Sequence, residues 1–324
     1  MTAAVNPERV LKELAEMWIS LGKPGEGESG AGVLRACTMT LVVMAEESED
    51  AMSLGETIAA LMPVHPARTI VIRLRGGGER ALAERVYAQC WMPFGQRRQI
   101  CCEQVEITAS DAALADLPPV VTPLAVPDLP LILWCRSARL AAMPEFRPIA
   151  DMAHKVVLDS AAFADGRDAL RRVAEMVEQG MLLGDLAWTR LTRWRESLSQ
   201  VFENRRYLEA LPRLSRIRVG FGDGLEVSAR YMAAWLSNVL AGATATVEPA
   251  AGLEVSLEGD GFRVELARRD AKLAVTVNDL ANFTNLPQPS DYLLMSEELG
   301  IVRHDPVFER TLASAARLAY SGNQ

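Results

Sequence analysis

Four short runs constrain this chain most: Ala36–Met44 (ACTMTLVVM), Arg68–Leu74 (RTIVIRL), Leu131–Cys135 (LILWC) and Lys155–Asp159 (KVVLD). They are rich in β-branched residues and lack a regular polar alternation, so each reads as a strand buried on both faces. Ile100–Thr108 adds a further strand candidate. Helical patterns fit between them at about 51–62, 79–89, 111–116 and 140–153. Such alternation predicts an open, mostly parallel α/β sheet with helices on both sides.

The flanking segments follow different patterns. Residues 6–20 read as a helix, with Val10, Leu11, Leu14, Met17, Trp18 and Leu21 at three- and four-residue steps. Gly22–Gly30 is a glycine-rich linker with little that could pack. From Asp165 to Asn204 the pattern is helical, in two stripes broken at Gly180–Asp185, and Thr192 is placed to cap the second piece. Past 210, Arg213–Phe221 reads as a strand and Val227–Leu240 as a helix. The short strands Ala243–Glu248, Leu253–Leu257, Phe262–Ala267 and Leu273–Val277 follow, joined by Asp-Gly and Arg-Asp turns. Helices at about 290–299 and 306–319 close the chain, the latter with Asp305 as cap and Pro306 at its first position. The 324 residues therefore suit a helix and linker (1–32), an α/β domain (33–208) and a smaller α+β domain with an antiparallel sheet (209–324).

Charge and cysteine narrow the function classes. A formal net charge of −8 disfavours nucleic-acid binding, which calls for a basic field. The most apolar stretch, Leu117–Trp134, is interrupted by five prolines and Asp128, so no membrane span is expected. The N-terminal residues lack a basic region leading into an apolar core, and five unframed cysteines fit free thiols; both point to a cytoplasmic protein.

Motifs for chemistry are sparse. His65, His154 and His304 have no second ligand at metal-binding spacing, and no nucleophile elbow occurs, so neither a metal, a cofactor nor a catalytic residue is assigned. Gly76–Gly78 with Ala81 follows a strand, is expected to open a helix and matches a relaxed dinucleotide fingerprint, G-x-G-x-x-A, but three glycines in a row read more simply as a plain turn. The position where a ribose-binding acid belongs falls in Gln96-Arg97-Arg98. Cys101 and Cys102 are adjacent on a strand, their sulfurs on opposite faces. Gly184–Glu196 interleaves two tryptophans with four arginines, residues favoured at protein–protein contacts and equally compatible with an inward-packing amphipathic helix.

Five blocks, in order, resemble the OpcA family, the glucose-6-phosphate dehydrogenase assembly proteins. They are His65-Pro66-Ala67-Arg68-Thr69-Ile70-Val71-Ile72, Cys102–Val105, Leu117–Arg136 (with Pro127, Asp128, Pro130, Trp134 and Arg136), Val156–Ala161, and Gly184–Glu196 with Asp185. The sequence departs from the family pattern at Cys135, where an aromatic is expected, and at Arg193, where proline is expected. The resemblance implies a non-catalytic partner that binds glucose-6-phosphate dehydrogenase and promotes its active oligomer. Trp188, Arg190, Trp194 and Arg195 are the expected contact residues. The alternatives are a nucleotide- or phosphometabolite-binding enzyme using Gly76–Gly78, and thiol-based sensing at Cys101 or Cys102.

Overall fold

A computed structural model describes residues 5–21, 34–91 and 100–321. Gly22–Gly30 and Gln96–Arg98 lie outside the described residues. The chain divides into two compact units, Met1–Leu158 and Asp159–Gln324.

The N-terminal unit comprises α1 (Pro7–Leu21), β1 (Leu34–Arg35), β2 (Met39–Glu46), α2 (Ala51–Leu61), β3 (Ala67–Arg75), β4 (Leu82–Trp91), β5 (Ile100–Ser110), α3 (Leu117–Leu124), β6 (Leu131–Cys135), α4 (Ala138–Ala141), α5 (Phe146–Ala150) and β7 (Lys155–Leu158). Its strands run in the order β4–β5–β3–β2–β6–β7, with the short β1 also on β5. Every pairing is parallel except β4 with β5. β6 and β7 are buried along their full length, and β2 and β3 up to their last residue, as continuous apolar runs require.

Two local expectations change, and one segment for which none was stated forms a helix. The helix expected at 79–89 is the strand β4, because ten residues of antiparallel ladder with β5 outweigh a spacing that suited either state. The proline-rich stretch starts with a helix, α3, since Pro118 and Pro119 occupy first-turn positions where no N–H is needed. The helix expected at 140–153 is two short pieces, α4 and α5, flanking Pro144.

Cysteine also departs from expectation. Cys101 is disulfide-bonded, and the ladder sets Cys90 directly opposite it. The expectation of free thiols therefore fails at Cys101, while Cys37, Cys102 and Cys135 are free. Cys102 keeps its thiol, buried and donating to the Ala36 carbonyl, and burial pushes it up to about 11, away from thiolate reactivity.

The C-terminal unit comprises α6 (Gly166–Glu178), β8 (Leu183–Asp185), α7 (Leu186–Thr189), α8 (Thr192–Glu203), α9 (Arg205–Leu208), β9 (Arg216–Phe221), α10 (Glu226–Val239), β10 (Thr244–Pro249), β11 (Glu254–Gly259), β12 (Phe262–Arg269), β13 (Lys272–Val277), β14 (Leu280–Asn285), α11 (Asp291–Gly300) and α12 (Pro306–Ser321). The unit boundary precedes the expected 208/209 because α6 packs on α10 and α12, α7 on α11, and α8 on β13.

Its six-stranded sheet runs β10–β9–β11–β12–β13–β14. The expected antiparallel ladder holds for all neighbours but one: β9 and β10 are parallel, because α10 connects them as a crossover. Tight turns use Asp260, Asp270 and Asn278 at positive φ, a conformation that Asp and Asn tolerate best among side-chain-bearing residues. One sheet face buries Ile217, Val219, Val255, Leu257, Val264 and Leu266. The other carries Arg216, Arg218 and Arg263 in water. Among the described residues, no helix is long and apolar enough to cross a membrane.

Candidate functional site

Open α/β sheets bind ligands beyond the C-terminal ends of their strands, where the strand order reverses. Here it reverses at β2, which has β3 on one side and β6 on the other. That crevice is filled by the protein's own ions. Arg139 reaches both oxygens of Asp111 at 2.9 Å and Glu46 at 3.1 Å. Arg136 pairs with Glu49 and lies 4.5 Å from the Trp134 ring centroid. Arg73 donates to the carbonyls of Glu47 and Glu49, and Asp50 caps α2 through the Met52 N–H. A pyrophosphate needs glycine and free N–H groups here and meets carboxylates instead.

The glycine motif fares no better as a phosphate cradle. Gly76–Gly78 follows β3 but leads into β4, so no helix N-terminus stands behind it. Gly77 sits at φ 130°, which explains glycine by conformation alone. The nucleotide-binding alternative loses the geometry on which it rested.

The blocks of this unit that resemble the family pattern tie strand starts together. The His65 N–H bonds to the Leu61 carbonyl at 2.7 Å, and the Pro66 carbonyl accepts from Thr38. Arg68 is buried, ion-paired to Glu103, and donates to the Leu124 carbonyl at 2.7 Å; Glu103 also accepts from the Trp18 indole at 2.5 Å. Asp128, between Pro127 and Pro130, turns the chain at φ 63°, and the Pro130 carbonyl accepts from Thr40 at 2.9 Å. Trp134 is buried within β6.

Gly184–Glu196 sends most of its side chains into the interior of the C-terminal unit. Asp185, 0% exposed, caps α7 through the Ala187 N–H at 2.9 Å. Its carboxylate also accepts from the Ser160 N–H at 3.0 Å and the Tyr231 hydroxyl at 2.7 Å. Burial, with Asp159 close by, pushes the Asp185 carboxyl up to about 6. Arg190 grips both oxygens of Asp159, at 2.8 and 2.6 Å. Trp188 is 4% exposed and packs on Tyr231 and Phe308, with the Arg195 guanidinium 3.4 Å from its ring centroid. Trp194 is 5% exposed. Thr192 does not cap α8; its hydroxyl bonds to Glu297 at 2.6 Å instead.

An exposed patch of two indoles and two guanidiniums therefore does not form. The tryptophans are anchors, and Arg190 and Arg195 are half-buried and held by Asp159 and by the Trp188 ring. What the segment does present is the outer side of α8, with Arg193, Glu196 and Gln200 exposed. These three line a cavity of about 490 Å³ together with Leu273, Leu286 and Leu294. Sequence reasoning missed Ser160 and Tyr231 of the buried network, and Glu298, which accepts from the buried Thr189 hydroxyl beside it. Only Ser160 lay in a recognised block, and nothing in the sequence distinguishes Tyr231 from a core residue of α10. Asp185, Ser160 and Tyr231 resemble an acid–base group, but all are 0% exposed and act as a structural knot. Among the described residues, no group of three or more His, Cys, Asp or Glu could hold a metal ion.

Residues 58–175 match the family model for the glucose-6-phosphate dehydrogenase subunit N-terminal domain, OpcA_G6PD_assem, and residues 181–312 match that for its C-terminal domain, OpcA_G6PD_C. Among curated relatives, the OxPP cycle protein OpcA of Nostoc punctiforme is 27% identical over 54% of this chain and 38% of its own length. The OxPP cycle protein OpcA of Synechocystis is 25% identical over 58% of this chain and 39% of its own. The match thus spans well under half the length of these relatives. Among solved structures, the 3-ketoreductase KijD10 of Actinomadura kijaniata, in complex with NADP, aligns with a TM-score of 0.48 at 12% identity, covering 87% of this chain and 96% of that one. A likeness of that size says nothing about chemistry. With both domain models matched in order along most of its length, the chain belongs to the OpcA family.

Proposed function

We propose that this chain is a non-catalytic assembly and activating subunit of glucose-6-phosphate dehydrogenase, working in the cytoplasm at the oxidative branch of the pentose phosphate pathway. The observation that carries this reading is the pair of family matches, each described as a domain of a subunit of that enzyme. The names of the curated relatives, which place them in the OxPP cycle, support it. The ion-filled crevice of the N-terminal unit favours a partner role over a nucleotide-dependent one.

A partner activates by binding the active assembly of the enzyme more tightly than the inactive one, and by no more than that difference. The outer side of α8 is the contact surface this reading selects: Arg193 and Gln200 meet the enzyme while Trp188, Trp194, Arg190 and Arg195 hold the helix from beneath. The test is direct. The dehydrogenase of the same organism, purified separately, is assayed and weighed in solution with and without this protein. A rise in both activity and native mass is expected; no change in either overturns the proposal.

A further inference from the structure

The solvent-facing side of the C-terminal sheet holds a small polar cavity. Along β11, Glu254, Ser256 and Glu258 alternate with the buried Val255 and Leu257, so their side chains share that side. The ladder sets Ser256 between Arg218 of β9 and Glu265 of β12, and Glu254 between Gly220 and Ala267. Gly220, Ser256 and Ala267 are small. The depression over them is a cavity of about 230 Å³, walled by Arg218, Glu248, Glu254, Glu265 and Arg269.

One polar atom in this cavity is unsatisfied. Ser256 is only 7% exposed, and its hydroxyl has no hydrogen-bond partner among the described residues. A buried hydroxyl without a partner costs free energy, and alanine at that register would avoid the cost.

The charges of the wall are unequally matched. Arg218 stands 3.7 Å from Glu248, and Glu265 stands 3.6 Å from Arg263. That leaves Glu254 and Arg269, whose side chains have no ion pair or hydrogen bond among the described residues. Arg269 is two residues beyond Ala267, the ladder partner of Glu254, so both side chains lie on the same side of the sheet. Such a diagonal step separates two α-carbons by roughly 7–8 Å. An occupant that satisfies the site has a positive end for Glu254, a negative end for Arg269 and a hydrogen-bonding group for Ser256. A lone cation meets Arg218 and Arg269, a lone anion meets Glu248, Glu254 and Glu265, and these carboxylates do not form a group that could hold a metal.

We infer that this cavity is a binding site for a small zwitterion, a free α-amino acid. Its ammonium group faces Glu254 and its carboxylate faces Arg269, with the Ser256 hydroxyl donating to that carboxylate. Arg218 and Glu248, 59% and 50% exposed and only loosely paired, swing aside to admit it. The inference does not rest on the proposed enzyme partner.

The experiment is calorimetric titration of the full chain with each common L-amino acid in turn. At least one should bind, in the micromolar to millimolar range expected of so few atoms. The amide of that amino acid lacks the carboxylate and its N-acetyl form lacks the ammonium group; each should bind at least tenfold more weakly. Glu254→Gln and Arg269→Gln change exposed side chains and should each weaken binding at least tenfold, and Ser256→Ala several-fold, with unchanged circular dichroism. Should Ser256→Ala fold poorly, the two exposed positions decide. Absence of binding by every amino acid overturns the inference. So does equal binding of the blocked forms, or binding that survives Glu254→Gln with Arg269→Gln.

Discussion

In the N-terminal unit, β2, β3 and β6 are buried almost end to end, and the ionic groups beyond them are tied to one another. In the C-terminal unit, one sheet face is wet, the edge strand β14 is exposed along its whole length, and a cavity opens beside α8. Both units contain buried carboxylates, Glu103 in the first and Asp185 in the second, each with a full set of donors. The contrast separates two uses of polar chemistry. Charge enclosed and paired fixes a shape, whereas backbone and side chains left without neighbours are where another molecule gains purchase.

The largest expected effect lies in the closed unit. Arg68→Met or Glu103→Ala alone should cost about 3–5 kcal/mol in denaturant unfolding, because each strands a buried charge. Arg68→Met with Glu103→Leu should regain much of that. Single changes that cost little would break the picture of a sealed N-terminal sheet.

Asp185 comes next. Asp185→Ala leaves two N–H groups and a hydroxyl without an acceptor and should cost at least about 2 kcal/mol. Asp185→Asn keeps most of the contacts and supplies a pH test. The folded protein binds a proton at Asp185 near pH 6, more tightly than the unfolded chain does at an ordinary 3.8. The stabilising contribution is therefore complete below about pH 4 and lost as pH rises through 6. Wild type should weaken relative to Asp185→Asn by up to about 3 kcal/mol between pH 4 and 7. A flat difference would mean that the carboxyl titrates normally.

Gly77→Ala should cost about 1 kcal/mol from backbone conformation, since space around Gly77 is open, and should leave NADP affinity unaltered in calorimetry. The smallest stability effect, within about 0.5 kcal/mol, is expected for Arg193→Glu with Gln200→Glu on exposed α8. Stimulation of the dehydrogenase should nevertheless fall. Full stimulation by that variant would move the contact surface elsewhere.

The parallel sheet was legible because strands buried on both faces leave uninterrupted apolar runs, as in Leu131–Cys135. The cap of the last helix was equally plain at Asp305. β14 was not, because a strand exposed on both sides has no reason to alternate. β4 was misread since Leu82, Arg85, Val86 and Gln89 suit a helix as well as a strand; only the partner strand decides. The indoles of Gly184–Glu196 illustrate a deeper limit. Helical spacing says which residues share a side, while the neighbours Tyr231 and Phe308, distant in sequence, determine that this side faces inward.

The indole of Trp18 has a practical consequence for anyone shortening this protein. The glycine-rich stretch after α1 invites trimming to a start near residue 33, as though the first helix were an appendage. Yet α1 packs on α3 and β4, and Trp18 donates its indole N–H to Glu103 alongside Arg68. Cutting there would leave the Arg68–Glu103 pair half uncovered, so a fragment without its opening helix should be harder to produce in folded form than the full chain.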